Sequence, residues 1–419
     1  MSKITGIKAR QILDSRGNPT VEVEVNTKNF CARASVPSGV STGKHEAFEL
    51  RDNSKEFQGL SVNKAVSNVN KIIAKKLIGK EVQEQEEIDN FLIKIDGTKN
   101  KSKLGANSIL GVSMAVCRAA SKEKNQELYQ HIGRLYETKK FILPIPAFNV
   151  INGGKHAGNS LDFQEFMIWP VKIKTFSETL KIGSEIYHEL KKIILERYGK
   201  SAINIGDEGG FAPPLTCYEE PFDLIVSAAN ELGYEKNIKL GIDVAATSFY
   251  RDRKYYLEGS ELSANDLLNK YEEMSSIYPL ISIEDPFYEE DFENFAKLVQ
   301  KVKHCQIVGD DLLTTNVERI QKAIVQGSCN CLLLKLNQIG TVTEALNSAK
   351  LAMQDGWNVM VSHRSGETTD DFIADLAVGI SSGQIKSGAP CRGERVAKYN
   401  QLLRIEEHLG RKAKYGGSL

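Results

Sequence analysis

The sequence predicts an α/β protein in which an N-terminal α+β domain precedes a TIM-like barrel of the (β/α)8 type. Two observations support this class. The chain has 419 residues, which is too long for one small hydrophobic core and suits two domains. In the C-terminal part, short apolar runs end in charged residues. The last four of these charged positions recur about every 25 residues, close to one strand–helix unit of such a barrel.

The first part of the chain begins with strands and continues with helices. Residues 11–13 and 20–27 carry β-branched and alternating side chains, and a turn-rich segment separates them. In residues 62–77 the apolar side chains fall on one face of a helix. Residues 105–122 are rich in small side chains and predict a second helix that packs closely on a neighbour. Strands followed by helices indicate an α+β domain.

The segment from Phe141 to Pro146 interrupts this pattern. Its two prolines favour an extended connector between domains. We therefore predict an N-terminal domain over residues 1–138, which includes a lid loop, and a catalytic barrel domain over residues 139–419.

Seven apolar runs in the C-terminal part predict barrel strands, because continuous apolar runs suit parallel strands that are buried on both faces. Charged residues follow these runs, at the strand ends where the active sites of such barrels lie. The runs cover residues 203–206, 239–242, 280–283, 305–309, 329–334, 357–362 and 384–385, and they lead into Asp207 and Glu208, Asp243, Glu284, Asp310, Lys335, His363 to Ser365, and Lys386.

Composition excludes several classes of function. Lysine plus arginine and aspartate plus glutamate both number 54, so a balanced chain gives no general reason to bind nucleic acid or anionic membranes. The chain shows neither a signal peptide nor an apolar stretch of membrane-spanning length. Its seven cysteines include no Cys-x-x-Cys pair, which is typical of a reducing compartment. We expect a cytoplasmic protein; export to the cell surface without a signal leaves no trace in a sequence.

Three carboxylates follow three successive runs: Asp243, Glu284 and Asp310. Gathered at one barrel end they would repel one another, and one would stay protonated unless a cation joined them. Oxygen donors without His or Cys favour Mg²⁺ over Zn²⁺. Separate salt bridges with lysines are the alternative interpretation.

Two lysines end later runs. A buried Lys335 is costly unless it is paired or has a lowered pKa, and a lowered pKa would suit a general base. The alternative is a strand-end lysine paired with a carboxylate. Lys386, taken alone, is more typical of an ion-pair partner than of a catalytic group.

A carboxyl group and a histidine lie in glycine-rich loops. Glu208 in Gly-Asp-Glu-Gly-Gly could act as a general acid, although Asp207 or a plain turn would also explain the motif. His156 lies in Gly-Gly-Lys-His-Ala-Gly and is a candidate because of that loop. The five histidines other than His156 and His363 are interpreted as structural.

Two further segments suggest phosphate binding. Three consecutive residues carry imidazole, guanidinium and hydroxyl groups, namely His363, Arg364 and Ser365. This combination suits a phosphate clamp, that is, a set of groups that binds phosphate. Residues 36–44 resemble a P-loop, but the glycine spacing is one residue too short and a histidine follows the lysine where Ser or Thr is needed. We interpret this loop as a mobile lid whose hydroxyl groups reach a metal or a phosphate.

Together these motifs resemble the enolase family, from about residue 3 to residue 415. The resemblance is specific, because the motif Ser-His-Arg-Ser-Gly-Glu-Thr has few competitors in this context. The matching stretches are residues 14–20 (DSRGNPT), 38–43, 152–158, 164–167 (QEFM), 206–210 (GDEGG), 282–286 (SIEDP), 309–312 (GDDL), 335–340, 362–368 and 395–401 (RVAKYNQ).

The resemblance implies a role for each candidate residue. Lys335 would be the base and Glu208 the acid, while Glu165 and His156 would help to position or protonate the leaving hydroxyl. The residues implied to bind substrate are Gln164, His363, Arg364, Ser365 and Lys386; those implied to bind the first Mg²⁺ are Asp243, Glu284 and Asp310; and Ser41 would contact a second Mg²⁺ that arrives with the substrate. Two departures from the family pattern, Val40 for alanine and Ser387 for threonine, remove no ligand.

The activity implied by the resemblance is the reversible dehydration of 2-phosphoglycerate to phosphoenolpyruvate and water, in glycolysis and gluconeogenesis. A lysine base, an aci-carboxylate intermediate stabilised by Mg²⁺ and a glutamic acid would carry it out. The family suggests a homodimer, and some members form octamers.

Two alternatives remain open from the sequence. A sugar-acid dehydratase or a racemase could share the barrel and its metal site, although Arg364, Ser365 and the lid favour a phosphorylated substrate. A structural or surface-binding protein could have kept the fold, although every proposed catalytic position is intact.

Overall fold

A computed structural model of the chain describes residues 2–39 and 43–416. Within these residues, the N-terminal part contains three strands, β1 to β3, and five α-helices, α1 to α5. The strands are Gly6–Leu13, Pro19–Asn26 and Cys31–Ser35, and the helices are Asn63–Asn68, Ala74–Leu77, Gln85–Asp96, Ala106–Glu123 and Leu128–Tyr136. One wider helical turn, Val69–Ile73, joins α1 to α2, so the helix predicted over residues 62–77 is confirmed.

The three N-terminal strands form an antiparallel sheet in the order β1-β2-β3. Strand β2 alternates as predicted: Val21, Val23 and Val25 are buried, while the residues between them are partly exposed. Helix α4 packs on β2 and β3. A Cβ at Gly111 of α4 would lie 2.6 Å from a methyl group of Val23, so the small residue permits the close packing expected of this helix.

The C-terminal part forms a closed barrel of eight strands in the order β10-β11-β12-β13-β14-β4-β5-β6. The strands and helices of this part are, in chain order, β4 (Ile145–Asn152), β5 (Glu165–Pro170), α6 (Phe176–Tyr198), α7 (Glu219–Glu231), β6 (Ile238–Asp243), β7 (Tyr250–Arg251), β8 (Lys254–Leu257), β9 (Ser260–Leu262), α8 (Ala264–Ile277), β10 (Leu280–Glu284), α9 (Phe292–Lys301), β11 (Gln306–Gly309), α10 (Val317–Gln326), β12 (Cys331–Leu334), α11 (Leu336–Ile339), α12 (Val342–Gln354), β13 (Asn358–Ser362), α13 (Phe372–Gly379), β14 (Gly383–Lys386) and α14 (Gly393–Leu409). The predicted barrel is therefore confirmed. Strands β7 to β9 form a separate small sheet.

The barrel departs from strict strand–helix alternation at one strand. Strand β5 runs antiparallel to both β4 and β6, whereas the other neighbouring pairs are parallel. The connection between β4 and β5, residues 153–164, contains one 3₁₀ turn and no α-helix, whereas a parallel return usually needs a helical crossover. The reversal brings the first residue of β5, Glu165, to the same barrel end as the last residues of the parallel strands.

Six of the seven predicted runs form barrel strands, and the first does not. Residues 203–206 follow a 3₁₀ turn, Lys200–Ile203, and Ile205 makes only an isolated bridge with Phe211. The run turns back on residues 210–212, with the backbone N–H of Gly206 donating to the oxygen of Gly210, so its assignment as a barrel strand was wrong. Strands β4 and β5 take that place. The predicted extended connector around Pro146 includes the first residues of β4, where a proline is tolerated near a strand start.

Apolar side chains fill the barrel interior below the charged end. One buried cluster consists of Ile145, Ala147, Met167, Trp169, Val308, Cys331, Leu333 and Met360. Burial raises the pKa of the Cys329 and Cys331 thiols, which fits their interpretation as small apolar residues. In the part of the chain that the structure describes, no helix combines the length and the apolar character needed to cross a membrane. The domain division at residues 138 and 139 stays a prediction.

His131 on α5 is fully buried, and within the described structure neither ring nitrogen has a hydrogen-bond partner. Burial, together with the charges of Lys124 and Arg134, lowers its pKa from 6.5 to about 4. The unfolded chain therefore takes up the proton first as pH falls through 6.5, and stability is lost progressively towards pH 4.

We predict that the free energy of unfolding is about 2 kcal/mol lower at pH 5 than at pH 7 because His131 takes up a proton in the unfolded chain. Urea unfolding at both pH values should show a smaller loss in His131→Phe than in the unaltered chain. His188→Phe, which replaces an exposed histidine, serves as the control. Equal losses in all three proteins would contradict the prediction.

Candidate active site

The predicted site residues meet at one end of the barrel, which we call the barrel mouth. Asp243, Glu284 and Lys386 are the last residues of β6, β10 and β14, and Glu165 is the first residue of the reversed strand β5. One cavity at the barrel mouth is lined by His156, Gln164, Glu165, Glu208, Asp243, Lys335, Ser362, His363, Arg364, Ser365 and Lys386. The structure thus gathers ten of the thirteen predicted site residues around this cavity, with Glu284 and Asp310 beside it.

The ammonium group of Lys386 connects three buried carboxylates. Its Nζ donates to both oxygens of Glu284 at 2.8 and 2.9 Å and to Oδ2 of Asp243 at 3.1 Å. A third carboxylate, Oε2 of Glu165, lies 3.1 Å from the same Nζ. Burial alone would lower the pKa of Lys386, but these carboxylates raise it well above its ordinary value. Lys386 therefore stays positively charged, as the ion-pair interpretation of this lysine expected.

One ammonium does not compensate all of the negative charge at the barrel mouth. Burial, followed by the charge of Asp243, raises the pKa of Glu284 well above its ordinary value. Burial and the charge of Glu208 do the same for the pKa of Glu165. The protonated forms of these carboxyl groups are therefore favoured more strongly than in water unless further positive charge is supplied.

Lys335 forms an ion pair with Asp310 at the ends of β12 and β11. Its Nζ donates to Oδ2 of Asp310, and Nε2 of Gln338 donates to Oδ1 of the same carboxylate at 2.7 Å. Burial is the largest influence and lowers the pKa of Lys335, but the charges of Asp310 and Glu284 oppose it, and the resulting pKa lies above its ordinary value. The lowered pKa expected of Lys335 is thus not found in this structure, because an adjacent carboxylate holds the ammonium form.

The acidic residues of the barrel mouth fit a divalent cation by their chemistry. Strand β10 pairs with both β6 and β11, so Asp243, Glu284 and Asp310 end three adjoining strands and offer oxygen ligands only. Their oxygens do not all lie within 4.8 Å of one another, and two lysines are bonded to them, Lys386 to Asp243 and Glu284 and Lys335 to Asp310. Two other groups do meet that distance, namely His156 with Glu165 and Glu208, and Asp285 with Asp310 and Asp311.

Glu208 lies between two histidines. Its Oε1 is 3.4 Å from Nδ1 of His156, its Oε2 is 3.5 Å from Nε2 of His363, and Asn149 donates to Oε2 at 3.0 Å. Burial raises the pKa of Glu208, while the positive charges of His363, His156, Arg395 and Lys386 lower it, and with these charges present it lies well below its ordinary value. Burial lowers the pKa of both imidazoles.

Glycines allow the loop that carries Glu208 to pack against the loop that carries His156. A Cβ at Gly206 would lie 2.5 Å from the backbone oxygen of His156, and a Cβ at Gly210 would lie 2.8 Å from the side chain of Asn152. The predicted glycine-rich motifs thus hold the acid and the histidine side by side.

The predicted phosphate clamp follows strand β13. The guanidinium of Arg364 binds Glu46 in a bidentate ion pair, with Nη1 donating to Oε2 at 2.8 Å and Nη2 to Oε1 at 3.1 Å. Nη1 also donates to Oδ1 of Asn337 at 3.0 Å. Gln164 donates to Oδ2 of Asp243 at 3.2 Å, which places it beside the predicted metal ligands.

The lid is described only at its two ends. Ser41 and Val40 lie outside the described residues, so the metal role predicted for Ser41 stays a prediction. Ser38 exchanges two backbone hydrogen bonds of 2.8 Å with Gly366, and the backbone N–H of Gly43 donates to Oε1 of Glu46 at 3.0 Å. Both ends of the loop are therefore attached to the residues that surround the cavity.

Sequence reasoning missed several residues that support the site: Glu46, Asn149, Gln338 and Arg395. Glu46 and Arg364 lie 318 positions apart, and no local pattern reveals their pairing. Asn149 belongs to the strand that was not predicted. Gln338 and Arg395 lie within stretches that resemble the enolase family, and this resemblance could have identified them.

Buried carboxylates and lysines at the mouth of a closed barrel define an enzyme equipped for acid–base chemistry. Family models described as "Enolase, N-terminal domain" and "Enolase, C-terminal TIM barrel domain" match residues 4–132 and 140–419. An enolase of Methanocaldococcus jannaschii is 55% identical over 99% of this chain and 97% of its own length. An enolase of Solanum lycopersicum is 54% identical over 100% of this chain and 98% of its own length. The chain belongs to the enolase family, as its motifs predicted.

We predict that replacing Lys386 by methionine leaves buried carboxylates uncompensated. At pH 8 and without divalent metal, the free energy of unfolding should fall by about 3–5 kcal/mol, the usual cost of breaking a buried ion pair. The loss should shrink as pH falls, because Glu165 and Glu284 then take up protons. Thermal unfolding in a chelating buffer measures this effect.

Lys239→Met is the matched control, since Lys239 lies on β6 towards the opposite end of the barrel from Asp243. If both lysine variants lost the same stability at every pH, Lys386 would not be the compensating charge.

Proposed function

We propose that this chain catalyses the reversible dehydration of 2-phosphoglycerate to phosphoenolpyruvate and water, a step of glycolysis and gluconeogenesis. The observation that carries the proposal is a partly buried amine and a buried carboxyl group that line one cavity, Lys335 at β12 and Glu208 against β4. Strands β13 and β14 lie between β12 and β4 in the barrel order, and they supply Arg364 and Lys386. A proton can thus be removed at one side of the cavity and delivered at the other.

The reaction is difficult because it places additional negative charge on the substrate. The C2 proton of 2-phosphoglycerate is very weakly acidic because its neighbour is already a carboxylate, and its removal puts a second negative charge on that group. The Lys386 ammonium remains protonated and is fixed before the reaction, so it stabilises the new charge without reorganisation. Two Mg²⁺ ions, one held by Asp243, Glu284 and Asp310 and one arriving with the substrate phosphate, would supply further positive charge and relieve Lys335 of its pairing with Asp310.

Two side chains exchange protons with the substrate, one as acceptor and one as donor. The neutral amine of Lys335 accepts the C2 proton, and Glu208 in its protonated form donates to the C3 hydroxyl, which leaves as water. The electron pair of the broken C–H bond becomes the new double bond. Each proton transfer typically contributes ~10²–10⁴-fold to the rate. His156 and Glu165 lie beside Glu208 and are proposed to orient the leaving hydroxyl.

The substrate phosphate is proposed to bind Arg364 and Ser365. A guanidinium with an adjacent hydroxyl matches the geometry of a phosphate group, and the ion pair with Glu46 already fixes the guanidinium plane. Gln164 and His363 complete the predicted substrate contacts. A homodimeric state and a cytoplasmic location stay predictions.

We predict that Lys335→Ala abolishes phosphoenolpyruvate formation, with a loss of at least ~10²-fold, because the C2 proton has no acceptor. The rise in ultraviolet absorbance as phosphoenolpyruvate forms, with and without Mg²⁺, measures it. Circular dichroism should show an unchanged fold. Near-normal turnover in this variant would remove Lys335 as the base, and inactivity of the unaltered chain with Mg²⁺ would refute the proposed reaction.

We predict a different outcome for Glu208→Gln. Loss of the acid should slow formation of phosphoenolpyruvate by at least ~10²-fold, while Lys335 still exchanges the C2 proton with solvent. Proton exchange in deuterated water, followed by NMR, separates the two steps. Equal impairment of exchange and dehydration would count against Glu208 as the acid.

A further inference from the structure

Arg395 of α14 is fully buried behind the cavity and connects its two sides. Its Nη1 donates to Nδ1 of His363 and to the backbone oxygen of Arg364, both at 2.6 Å. Its Nη2 donates to the backbone oxygens of Ser365 at 2.6 Å and Asp207 at 3.0 Å. The guanidinium therefore touches both the phosphate clamp and the loop of Glu208, yet it does not line the cavity.

The bond to the imidazole determines where the ring proton lies. A guanidinium offers only donors and does not lose its proton in proteins, so Nδ1 of His363 must accept. The neutral ring then carries its proton on Nε2, which lies 3.5 Å from Oε2 of Glu208. Protonating Nδ1 would break the bond to Arg395 and bring two positive groups into contact.

We propose that Arg395 is a positioning residue that holds His363 as a neutral imidazole protonated at Nε2, and thereby keeps a further positive charge away from Glu208. The inference rests on the proposed function, in which Glu208 acts as the acid. A cationic His363 would be the strongest positive neighbour of Glu208 and would favour its ionised form.

The charged groups around His363 come from four elements. Glu208 lies in the loop before α7, Arg395 on α14, Lys386 on β14, and Lys335 after β12. Burial and the three cations lower the pKa of His363 well below its ordinary value, and the charge of Glu208 opposes them. The neutral state that the hydrogen bond imposes agrees with the surrounding charge.

The backbone leaves room for this arrangement at Gly388. Its φ is +76°, and a Cβ there would lie 2.6 Å from the backbone oxygen of Glu208 and 2.9 Å from Cδ of Arg395. A residue with a side chain would push the arginine away from His363.

A competing explanation is that Arg395 only connects the two loops through its hydrogen bonds to backbone oxygens. The protonation state of His363 distinguishes the two.

The direct test is NMR of the full-length protein labelled with ¹⁵N-histidine, with His363 assigned by its loss in a His363→Gln sample. In the unaltered chain His363 should remain protonated at Nε2 only, from pH 8 to pH 5.5. In Arg395→Met it should titrate nearer its ordinary pKa and show both tautomers. Arg395→Lys should keep the native tautomer, because a lysine can still donate to Nδ1.

Lys398→Met is the matched control. Lys398 is a second buried cation of α14, and it donates to Glu367 and to the backbone oxygen of Thr368 rather than to the imidazole. Its loss should leave the titration of His363 unchanged. Titration of His363 in the unaltered chain, or an unchanged His363 in Arg395→Met, would overturn the proposal.

The kinetic test separates positioning from a structural role. In Arg395→Met the dehydration rate should fall about tenfold per pH unit below the His363 pKa, while exchange of the C2 proton falls less. Arg395→Lys should restore the native pH profile. A loss of equal size at every pH would indicate a purely structural arginine and overturn the proposal. Absence of dehydration in the unaltered chain would instead reject the proposed function, while the NMR result would still report on the tautomer.

Discussion

The compensation of buried negative charge at the barrel mouth is the constraint on which the rest of the site depends. Glu165, Asp243 and Glu284 share a single ammonium group, that of Lys386, and Asp310 holds Lys335. Isolated charges at this depth would be very costly, so each has to be paired, protonated or joined by a cation. The site holds too little positive charge for its carboxylates. This shortage destabilises the folded protein and favours the binding of divalent cations.

The barrel brings these groups together because the ends of its strands lie at defined positions in a closed sheet. Parallel strands bring Asp243, Glu284 and Lys386 to one edge, and the single reversed strand adds Glu165 from its first residue. Below them the apolar interior around Met167 and Leu333 excludes water, which strengthens every charge interaction above it. The chemistry therefore follows from topology as much as from residue type.

Much of this arrangement was predictable from the sequence, and the failures have physical causes. Apolar runs that lead into charged residues revealed six barrel strands, because buried parallel strands carry an unbroken pattern. The hairpin of β4 and β5 was missed because prolines at its start resemble a connector and no charged residue follows β5 directly. Pairings such as Glu46 with Arg364 join distant segments, and local patterns carry no trace of them. The protonation states of Lys335 and Glu208 depend on burial and on neighbours across the barrel, which only the folded structure defines.

Titration of the metal-free protein with Mg²⁺ in weakly buffered solution near neutral pH tests the central claim most directly. Because burial and neighbouring carboxylates raise the pKa values of Glu284 and Glu165 well above their ordinary values, a bound cation favours the loss of protons from the cluster. The account predicts proton release in step with Mg²⁺ binding, and its reduction in Glu284→Gln. Binding of Mg²⁺ without any release of protons, or release unaffected by that substitution, would contradict it.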